Sequence, residues 1–376
     1  MARTPRRAAR GRGVIVMAGD PRIRLRDDLT GLKPYDPGSS VQEIVLSANE
    51  NPFGMPEGVR AAALEAVAGV AFERYPDPLA DGLRGDIAAW HGVKRSQVVV
   101  GNGGDELIFD LLLAFGGPGR VLLDCPPTFS IYALYAKLTG TEVLSIARDP
   151  SDFSLDYAAV EAAAERADIV MVTSPNNPTG NTVDPAWVAS LAERARGIVV
   201  VDEAYVEFAD EGASCVGLMR DHGNLVVLRT FSKAFALAGV RCGYLLAPEG
   251  VVDGIAAVRQ PYSVDAIGQA VARVVVANRD AYDGAIATIK AERTRLERSL
   301  SAVDGVRAWP SQGNFVLVRM PHAHEAYMRL RDEFSILTRD FSRDPLLGDC
   351  LRITVGTPQE NDRVIDALSL LGKESS

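Results

Sequence analysis

Short runs of valine, isoleucine and leucine alternate with longer stretches of mixed apolar and polar residues through the first two thirds of the chain. The apolar runs are continuous, and glycine, proline or aspartate flanks them, which is typical of parallel strands buried on both faces. Because helix-length segments separate the runs, the pattern predicts a doubly wound, mainly parallel α/β sheet. The predicted strands are 98–101, 121–124, 169–172, 198–205, 224–230 and 244–247.

The pattern changes beyond about Tyr262. A charged stretch from Ala270 to about Leu300 predicts one long helix, and β-like runs follow at 314–320, 335–340 and 351–356. A long helix followed by several β-like runs indicates a second, smaller α+β domain. We therefore expect a disordered leader at 1–24, an arm at 25–46 that packs with the small domain, a large domain at 47–262 and a small C-terminal domain at 263–376.

Composition narrows the classes of protein. The 376 residues carry a formal net charge of −9, which argues against a nucleic-acid partner. No apolar run reaches the ~20 residues of a membrane helix, and we expect no membrane partner. The four cysteines lie far apart and form no CxxC, so we expect reduced thiols, a cytoplasmic location and no metal.

Candidate chemistry follows the predicted strands, because ligands of open α/β sheets bind beyond the carboxyl ends of strands. After 98–101 comes Gly101-Asn102-Gly103-Gly104-Asp105-Glu106 and then a helix. Glycines let backbone N–H groups approach an anion, and the helix N-terminus favours negative charge. This is a candidate phosphate site, although a tight turn alone would also require glycine.

The next three strands are followed by residues suited to a planar, cationic ligand. Phe129 could cover the face of a ring, unless it is a core side chain. The turn Ser174–Gly180 holds Asn177 in a rigid Asn-Pro-Thr-Gly sequence. Asp202 ends a buried run and needs a partner, such as a cation in the crevice. Tyr205 follows three residues later and could reach the same ligand.

Lys233 follows the strand 224–230 in the sequence Thr230-Phe231-Ser232-Lys233, with Arg241 eight residues later. The two hydroxyl groups and the guanidinium are good phosphate ligands. A desolvated lysine beside other positive charge has a lowered pKa and becomes a nucleophile for carbonyls. A single lysine is more often a solvated surface charge, but apolar neighbours weaken that interpretation here.

Pyridoxal 5′-phosphate needs all these groups together. The residues predict that Thr230, Ser232, Arg241 and the Gly103-Gly104-Asp105 backbone bind its phosphate. Its pyridinium N–H would pair with Asp202, its ring would stack on Phe129, and Asn177 and Tyr205 would hold its 3′-oxygen. Its aldehyde would condense with Lys233 as a Schiff base, and Lys233, Asp202 and Tyr205 would be the catalytic residues.

The motifs resemble those of the fold-type I, class I and II aminotransferases, and most closely the histidinol-phosphate aminotransferase branch. The resemblance covers roughly Leu25 to Leu371. It rests on SANENPFG, RYPD, GNGGDE, PPTFSIY, SPNNPTG, VVDEAYVEF, RTFSKAFALAGVRCGY, GNFVLV and LRITVG. Two departures are Ser174, where the family often has asparagine, and Phe129, where tyrosine is common.

The resemblance implies ping-pong transamination between an amine and a 2-oxo acid such as 2-oxoglutarate. It also implies a homodimer with a shared active site, in which Tyr75 reaches the neighbour's cofactor phosphate. The implied substrate contacts are Tyr35, Asn314, Arg339 and Arg352, and the two arginines could bind an anionic group.

Other functions stay open at this level. An aromatic amino-acid aminotransferase, or a decarboxylase of a phosphorylated amino acid, would share the fold and the cofactor. A non-catalytic cofactor-binding module would bind without reacting. A P-loop NTPase would fit the strand ending in Asp-Glu, but GxxxxGK[ST] is missing from the sequence.

Overall fold

A computed structural model describes residues 26–29 and 42–374. The first of these ranges contains a short 3-10 turn at Asp27–Leu29, and the second forms a separate unit that contains every other helix and strand named below. The predicted leader, most of the predicted arm and Tyr35 lie outside the described residues. The strands are β1 (Ile44–Val45), β2 (Val98–Gly101), β3 (Val121–Asp124), β4 (Glu142–Ser145), β5 (Ile169–Thr173), β6 (Ile198–Asp202), β7 (Leu225–Thr230), β8 (Gly243–Leu246), β9 (Arg307–Ala308), β10 (Phe315–Arg319), β11 (Ile336–Leu337), β12 (Arg339–Asp340) and β13 (Cys350–Thr354).

Helices connect most of these strands. They are α1 (Glu57–Ala68), α2 (Asp81–His91), α3 (Gly104–Phe115), α4 (Ile131–Thr139), α5 (Tyr157–Ala164), α6 (Pro185–Arg194), α7 (Glu249–Val258), α8 (Ala266–Ala277), α9 (Asp283–Ser301), α10 (Ala323–Asp332) and α11 (Pro358–Glu374). None of the helices in the described part of the chain is long and apolar enough to cross a membrane.

A seven-stranded sheet in the order β2-β8-β7-β6-β5-β3-β4 forms the centre of the fold. The pairs from β4 through β7 are parallel, whereas β8 is antiparallel to both β2 and β7. Along β5, Ile169 and Met171 belong to one apolar cluster, while Val170 and Val172 belong to another. Successive side chains of a strand point to opposite faces, so the sheet is buried on both sides, as its continuous apolar runs predict.

A second, antiparallel sheet has the order β12-β13-β10-β9. In this sheet Arg339 lies opposite Arg352, so both side chains leave the same face. The short strand β1 pairs with β11 as a separate two-stranded sheet. The domain boundaries given above stay a prediction.

Three predicted elements are wrong in detail. The helix expected from Ala270 to Leu300 is two helices, because a 3-10 turn at Arg279–Tyr282 separates α8 from α9. Asn278 donates a hydrogen bond back to the Val274 carbonyl, and Tyr282 is fully buried against Phe235. Burying that ring requires the chain to turn, and the local charge pattern contains no sign of it.

The predicted strand 335–340 divides at the buried Thr338 into β11 and β12, which belong to different sheets. The predicted strand 198–205 ends at Asp202, and a short 3-10 turn follows at Val206–Phe208. The strand β4 was not predicted. It lies at the edge of the large sheet and is half-exposed, so its sequence lacks the continuous apolar run of its neighbours.

Candidate active site

The carboxyl ends of β5, β6 and β7 bring the predicted chemistry to one place. Thr173 lies beside Asp202, and Asp202 lies beside Leu228, in the register of the parallel strands. The turn with Asn177 therefore opens next to Asp202, and the loop with Lys233 opens on the other side. This crevice lies beyond the carboxyl ends of the strands, as in other open α/β sheets.

Asp202 is buried at the end of β6. Its Oδ2 accepts a 2.6 Å hydrogen bond from the hydroxyl of Tyr132, and its Oδ1 accepts one of 3.0 Å from the backbone N–H of Ala204. Burial raises the pKa of Asp202 to about 6, although the hydrogen bond from Tyr132 acts in the opposite direction. Among the described residues no cation pairs with this carboxylate. A cationic ring N–H would therefore supply the partner that burial demands.

Lys233 is half-buried in the loop after β7, and its Nζ donates a 2.7 Å hydrogen bond to the carbonyl of Ala48. Its Nζ lies 5.8 Å from the centre of the Tyr205 ring. Burial and the charge of Arg352 lower the pKa of Lys233 to about 8. With a pKa of about 8, roughly a tenth of the amine is neutral at pH 7, and the neutral form is the nucleophile.

The candidate phosphate ligands converge on the N-terminus of α3. Arg241 forms a 3.1 Å ion pair with Asp105, which lies in the first turn of α3. Gly103 has a φ of +83°, a left-handed conformation that favours glycine, and a Cβ built on it would lie 2.5 Å from Nη2 of Arg241, so that guanidinium would have to move. The Oγ atoms of Thr230 and Ser232 are 3.0 Å apart and both side chains are buried. The first amides of α3 have no acceptor within the helix, which suits an anion.

The turn after β5 contains two asparagines, of which Asn176 holds the turn together and Asn177 contacts another site residue. Asn176 is fully buried and bonds to Thr128, Thr179 and the Pro127 carbonyl. Asn177 instead accepts a hydrogen bond from Arg352 of β13. The predicted cofactor residue Asn177 and the predicted substrate residue Arg352 are thus in direct contact.

Arg352 is buried and also donates to the carbonyl of Ser47. Its guanidinium carbon lies 5.9 Å from the centre of the Phe341 ring, and that of Arg339 lies at the same distance from that ring. Both guanidinium groups therefore lie near the Phe341 ring. Two guanidinium groups on one face can bind an anionic substrate group.

Tyr205 and Asn314 are tied to the segment that follows β1. The Tyr205 hydroxyl accepts a 3.0 Å hydrogen bond from Nδ2 of Asn49. Nδ2 of Asn314 donates to the Asn49 carbonyl at 3.0 Å, and Asn314 Oδ1 is buried without a partner among the described residues. Both predicted site residues thus face the segment 47–50.

Two further predicted residues, Phe129 and Tyr75, have different surroundings. Phe129 is half-buried and packs edge-on against Tyr132, with ring centres 5.6 Å apart. Tyr75 is 82% exposed and stacks on Tyr262 at 4.7 Å, so no contact within the chain joins it to the other site residues described here.

No role was predicted for Tyr132, Asn49 or Thr354, although each lies within a motif quoted above. Tyr132 follows Phe129 by three residues at the start of α4, and the two rings are in contact across this turn. Asn49 and Thr354 are 305 residues apart and bond to each other twice. Only the Tyr132 spacing could have been found in the sequence.

The donor set fits pyridoxal 5′-phosphate. A buried carboxylate without a cation, a lysine of lowered pKa and an arginine beside a helix N-terminus each suit a different part of that molecule. Among the described residues, no group of three or more His, Cys, Asp or Glu side chains could hold a metal ion.

The sequence model of the family "Aminotransferase class I and II" matches residues 41–368. The chain belongs to this family. The resemblance inferred from the motifs, the fold class and the assignment as an aminotransferase are thereby confirmed. Membership of the class I and II aminotransferases also confirms pyridoxal 5′-phosphate as the cofactor.

Two relatives of this class I and II aminotransferase are similar along most of the chain. Histidinol-phosphate aminotransferase 1 of Carboxydothermus hydrogenoformans is 42% identical over 340 residues, which are 90% of this chain and 95% of the relative. Histidinol-phosphate aminotransferase of Thermobifida fusca is 41% identical, over 90% of this chain and 92% of the relative.

A solved structure supports the fold. Histidinol-phosphate aminotransferase from Sinorhizobium meliloti, in complex with pyridoxal-5′-phosphate, superposes with a TM-score of 0.86 at 24% identity. The match covers 96% of this chain and all of that one. At that identity the likeness concerns the fold alone.

Proposed function

We propose that the protein is a histidinol-phosphate:2-oxoglutarate aminotransferase of histidine biosynthesis. Two observations together carry the proposal. Lys233, with its lowered pKa, and the buried Asp202 lie at or just beyond the carboxyl ends of neighbouring strands of the sheet. The chain that holds them is 42% identical to a histidinol-phosphate aminotransferase. The aromatic aminotransferase and decarboxylase alternatives are not favoured by these relatives.

The residues suggest how the chain would hold its cofactor. The first amides of α3 and the side chains of Arg241, Thr230 and Ser232 would bind the phosphate. Asp202 would hold a proton at the ring nitrogen, since its carboxylate has no other cation among the described residues. Asn177 and Tyr205 would bind the 3′-oxygen, and Phe129 would cover the ring face.

Lys233 is the proposed nucleophile and proton carrier. When bound, the cofactor supplies an aldehyde carbon that amines attack and a ring that withdraws electrons from the substrate's Cα. Lys233 would first attach to the cofactor, and once a substrate amine replaces it, would move the proton at Cα. Its lowered pKa leaves part of the amine unprotonated for this work.

Arg352 and Arg339 are the proposed anion-binding residues for the substrate. Their side chains leave the same face of the small sheet, and both guanidinium carbons lie 5.9 Å from the centre of the Phe341 ring. Histidinol phosphate offers a phosphate, and 2-oxoglutarate offers carboxylates. One pair of guanidinium groups would therefore serve both halves of the reaction. Asn314 completes the proposed substrate contacts.

The proposed assembly is a homodimer with a shared active site. Tyr75 and Phe72, at 82% and 73% exposure, are large side chains that a single chain leaves in water. Such exposed groups favour a partner surface. Tyr75 would then reach the cofactor phosphate of the second copy.

The cytoplasm is the proposed location. All four cysteines are buried and unpaired, as expected of a chain that keeps its thiols reduced.

Reduction with borohydride tests the role of Lys233. The cofactor should become fixed to one peptide, the one that contains Lys233, because only an amine joined to the aldehyde carbon is trapped. Lys233→Ala should lose more than about 10²-fold in turnover, the least that a positioned general base contributes. The control Lys137→Ala changes an exposed lysine of α4 and should keep both properties. A label on another lysine would contradict the proposal.

The substrate is tested by following the cofactor's absorbance with histidinol phosphate and with phenylalanine, while released CO₂ is measured. Histidinol phosphate should react with the higher kcat/KM and without CO₂. A large preference for phenylalanine would favour the aromatic aminotransferase, and CO₂ release would favour the decarboxylase.

A further inference from the structure

Three backbone carbonyls in a row connect the segment 47–49 to the active site. The carbonyl of Ser47 accepts from Arg352, that of Ala48 from Lys233 and that of Asn49 from Asn314. Each of these donors is a predicted site residue. The segment therefore lies against the crevice along its length, and the side chain of Asn49 is its most buried polar group, at 1% exposure.

The orientation of the Asn49 amide follows from its neighbours. The backbone N–H of Asn49 donates to Oγ1 of Thr354 at 3.0 Å, so that hydroxyl oxygen is an acceptor. The Thr354 hydroxyl must then give its own hydrogen elsewhere, and Oδ1 of Asn49 lies 3.1 Å away. Because Oδ1 accepts this bond, Nδ2 is the atom that faces Tyr205.

The direction of one hydrogen bond sets the direction of the next. Nδ2 of Asn49 has hydrogens and no lone pair to accept with, so the oxygen of Tyr205 must accept this bond at 3.0 Å. The O–H of Tyr205 is thereby directed away from Asn49. A hydroxyl that accepts one hydrogen bond also becomes a stronger donor, since the bonds polarise each other.

We propose that Asn49, oriented by Thr354, is a positioning residue that makes Tyr205 a hydrogen-bond donor to the 3′-oxygen of the cofactor. The inference rests on the proposed function, because it requires Tyr205 to face that oxygen. Asn49 acts through Tyr205 and touches neither cofactor nor substrate. The reversed orientation, with Tyr205 donating to residue 49, would leave the 3′-oxygen without this donor.

Two variants separate orientation from bulk. Asn49→Asp keeps the shape but replaces the donor with an acceptor, so Tyr205 would donate to residue 49. Asn49→Gly removes the amide and still permits the backbone φ of +54° at this position. We expect Asn49→Gly to weaken cofactor binding to the apoenzyme roughly two- to tenfold, the range of one net hydrogen bond. Asn49→Asp should weaken it more.

The pH dependence of the cofactor's visible absorbance gives a second measurement. A hydrogen bond to the 3′-oxygen favours the form in which the Lys233 linkage has lost its proton, because the oxygen then carries more negative charge. The midpoint should therefore move to higher pH in both variants, as in Tyr205→Phe. The charged groups nearby are Asp202, Lys233 and the groups that act on Lys233, namely Arg352, Glu50, Asp105 and Arg241, and the variants leave all of them unchanged.

A double-mutant cycle decides the matter. If Asn49 acts through Tyr205, Asn49→Gly should change neither the dissociation constant nor the midpoint further in a Tyr205→Phe background. Additive effects, or an unchanged dissociation constant in Asn49→Gly, would overturn the inference. Thr354→Val removes only the orienting hydroxyl. It should raise both the dissociation constant of the cofactor and the pH midpoint of its absorbance. This variant supplies the test if the protein does not tolerate a change at residue 49. Failure of borohydride to fix the cofactor to Lys233 would instead contradict the proposed function.

Discussion

The phenol of Tyr132 is the side-chain hydrogen-bond donor to the buried carboxylate of Asp202. The hydroxyl of Tyr132 donates to its Oδ2 at 2.6 Å and also lies 2.9 Å from Oγ1 of Thr173. A charge-assisted hydrogen bond of this length stabilises the ionised carboxyl group. Asp202 thus stays an effective partner for a ring N–H although burial raises its pKa.

Tyr132→Phe should narrow the pH range of cofactor binding. Without the hydroxyl, the pKa of Asp202 should rise above its present value of about 6, because burial still acts and its opposing hydrogen bond is lost. A raised pKa means that the carboxyl group is protonated over a wider acidic range. The acidic limit of cofactor affinity should therefore move to higher pH, measured as the dissociation constant between pH 5 and 8.

Tyr157→Phe is the control for this measurement, because Tyr157 stacks on Trp187 in another part of the large domain. It should leave the acidic limit in place. If the acidic limit of cofactor affinity were the same in Tyr132→Phe and in the unchanged protein, the Tyr132 hydroxyl would not control the pKa of Asp202.

For single residues, the sequence predicts which side chains follow the strand ends, but not which other side chains orient them. Lys233, Asp202 and Arg241 could be proposed because strand ends collect ligands. Asn49 could not, since its partners Tyr205 and Thr354 are 156 and 305 residues away. Such contacts depend on how separate elements approach each other.

Between elements, a buried ion cluster joins β7 to the turn after β6. Arg229 lies 2.7 Å from Glu203 and 3.1 Å from Glu207, and it donates to Oγ of Ser214 at 2.8 Å. Arg229 and Glu203 are buried, and the Glu207 side chain is only 11% exposed. Glu203 adjoins Asp202 in the sequence but points to this cluster, so the two acids have separate tasks.

Arg229→Met should lower the free energy of unfolding by about 3–5 kcal/mol, because it leaves two buried carboxylates without a cation. The measurement is urea denaturation near neutral pH. Arg194→Met is the matched control, since Arg194 is 58% exposed and its pair with Glu161 is worth about 0–1 kcal/mol. Equal losses in the two variants would contradict a special role for the buried cluster.

Element boundaries show where local pattern is sufficient and where packing decides. The strands β2, β3 and β5 begin and end close to their predicted residues because both faces are largely buried and every position before the last is apolar. The break between α8 and α9 depends on Tyr282, whose ring is buried by tertiary contacts. Helical periodicity continues across that break, so the sequence alone predicts one helix.

For the whole molecule, the proposed shared active site leads to a prediction about mixed dimers. Lys233→Ala and Tyr75→Ala should each be poorly active alone. In a mixed dimer, one site would lack both residues and the other would have both, if Tyr75 serves the partner's site. Mixing equal amounts, with exchange of subunits, should restore about a quarter of the activity of the unchanged protein.

Activity measured after co-refolding the two variants tests this arrangement. If Tyr75 acted within its own chain, each site of the mixed dimer would lack one residue and no activity would return. Elution of the unchanged protein as a monomer would equally contradict the shared site.

In the proposed reaction, Arg352 would not need to be ordered by the substrate. Its guanidinium is buried and is held by Asn177 and the Ser47 carbonyl, two neutral acceptors. A free arginine side chain loses about 2 kcal/mol of rotational entropy when it is fixed. Here folding has already borne that loss, so an anionic substrate that meets Arg352 has only to exchange partners. The binding energy of that anion is then available for holding the reacting carbon in position.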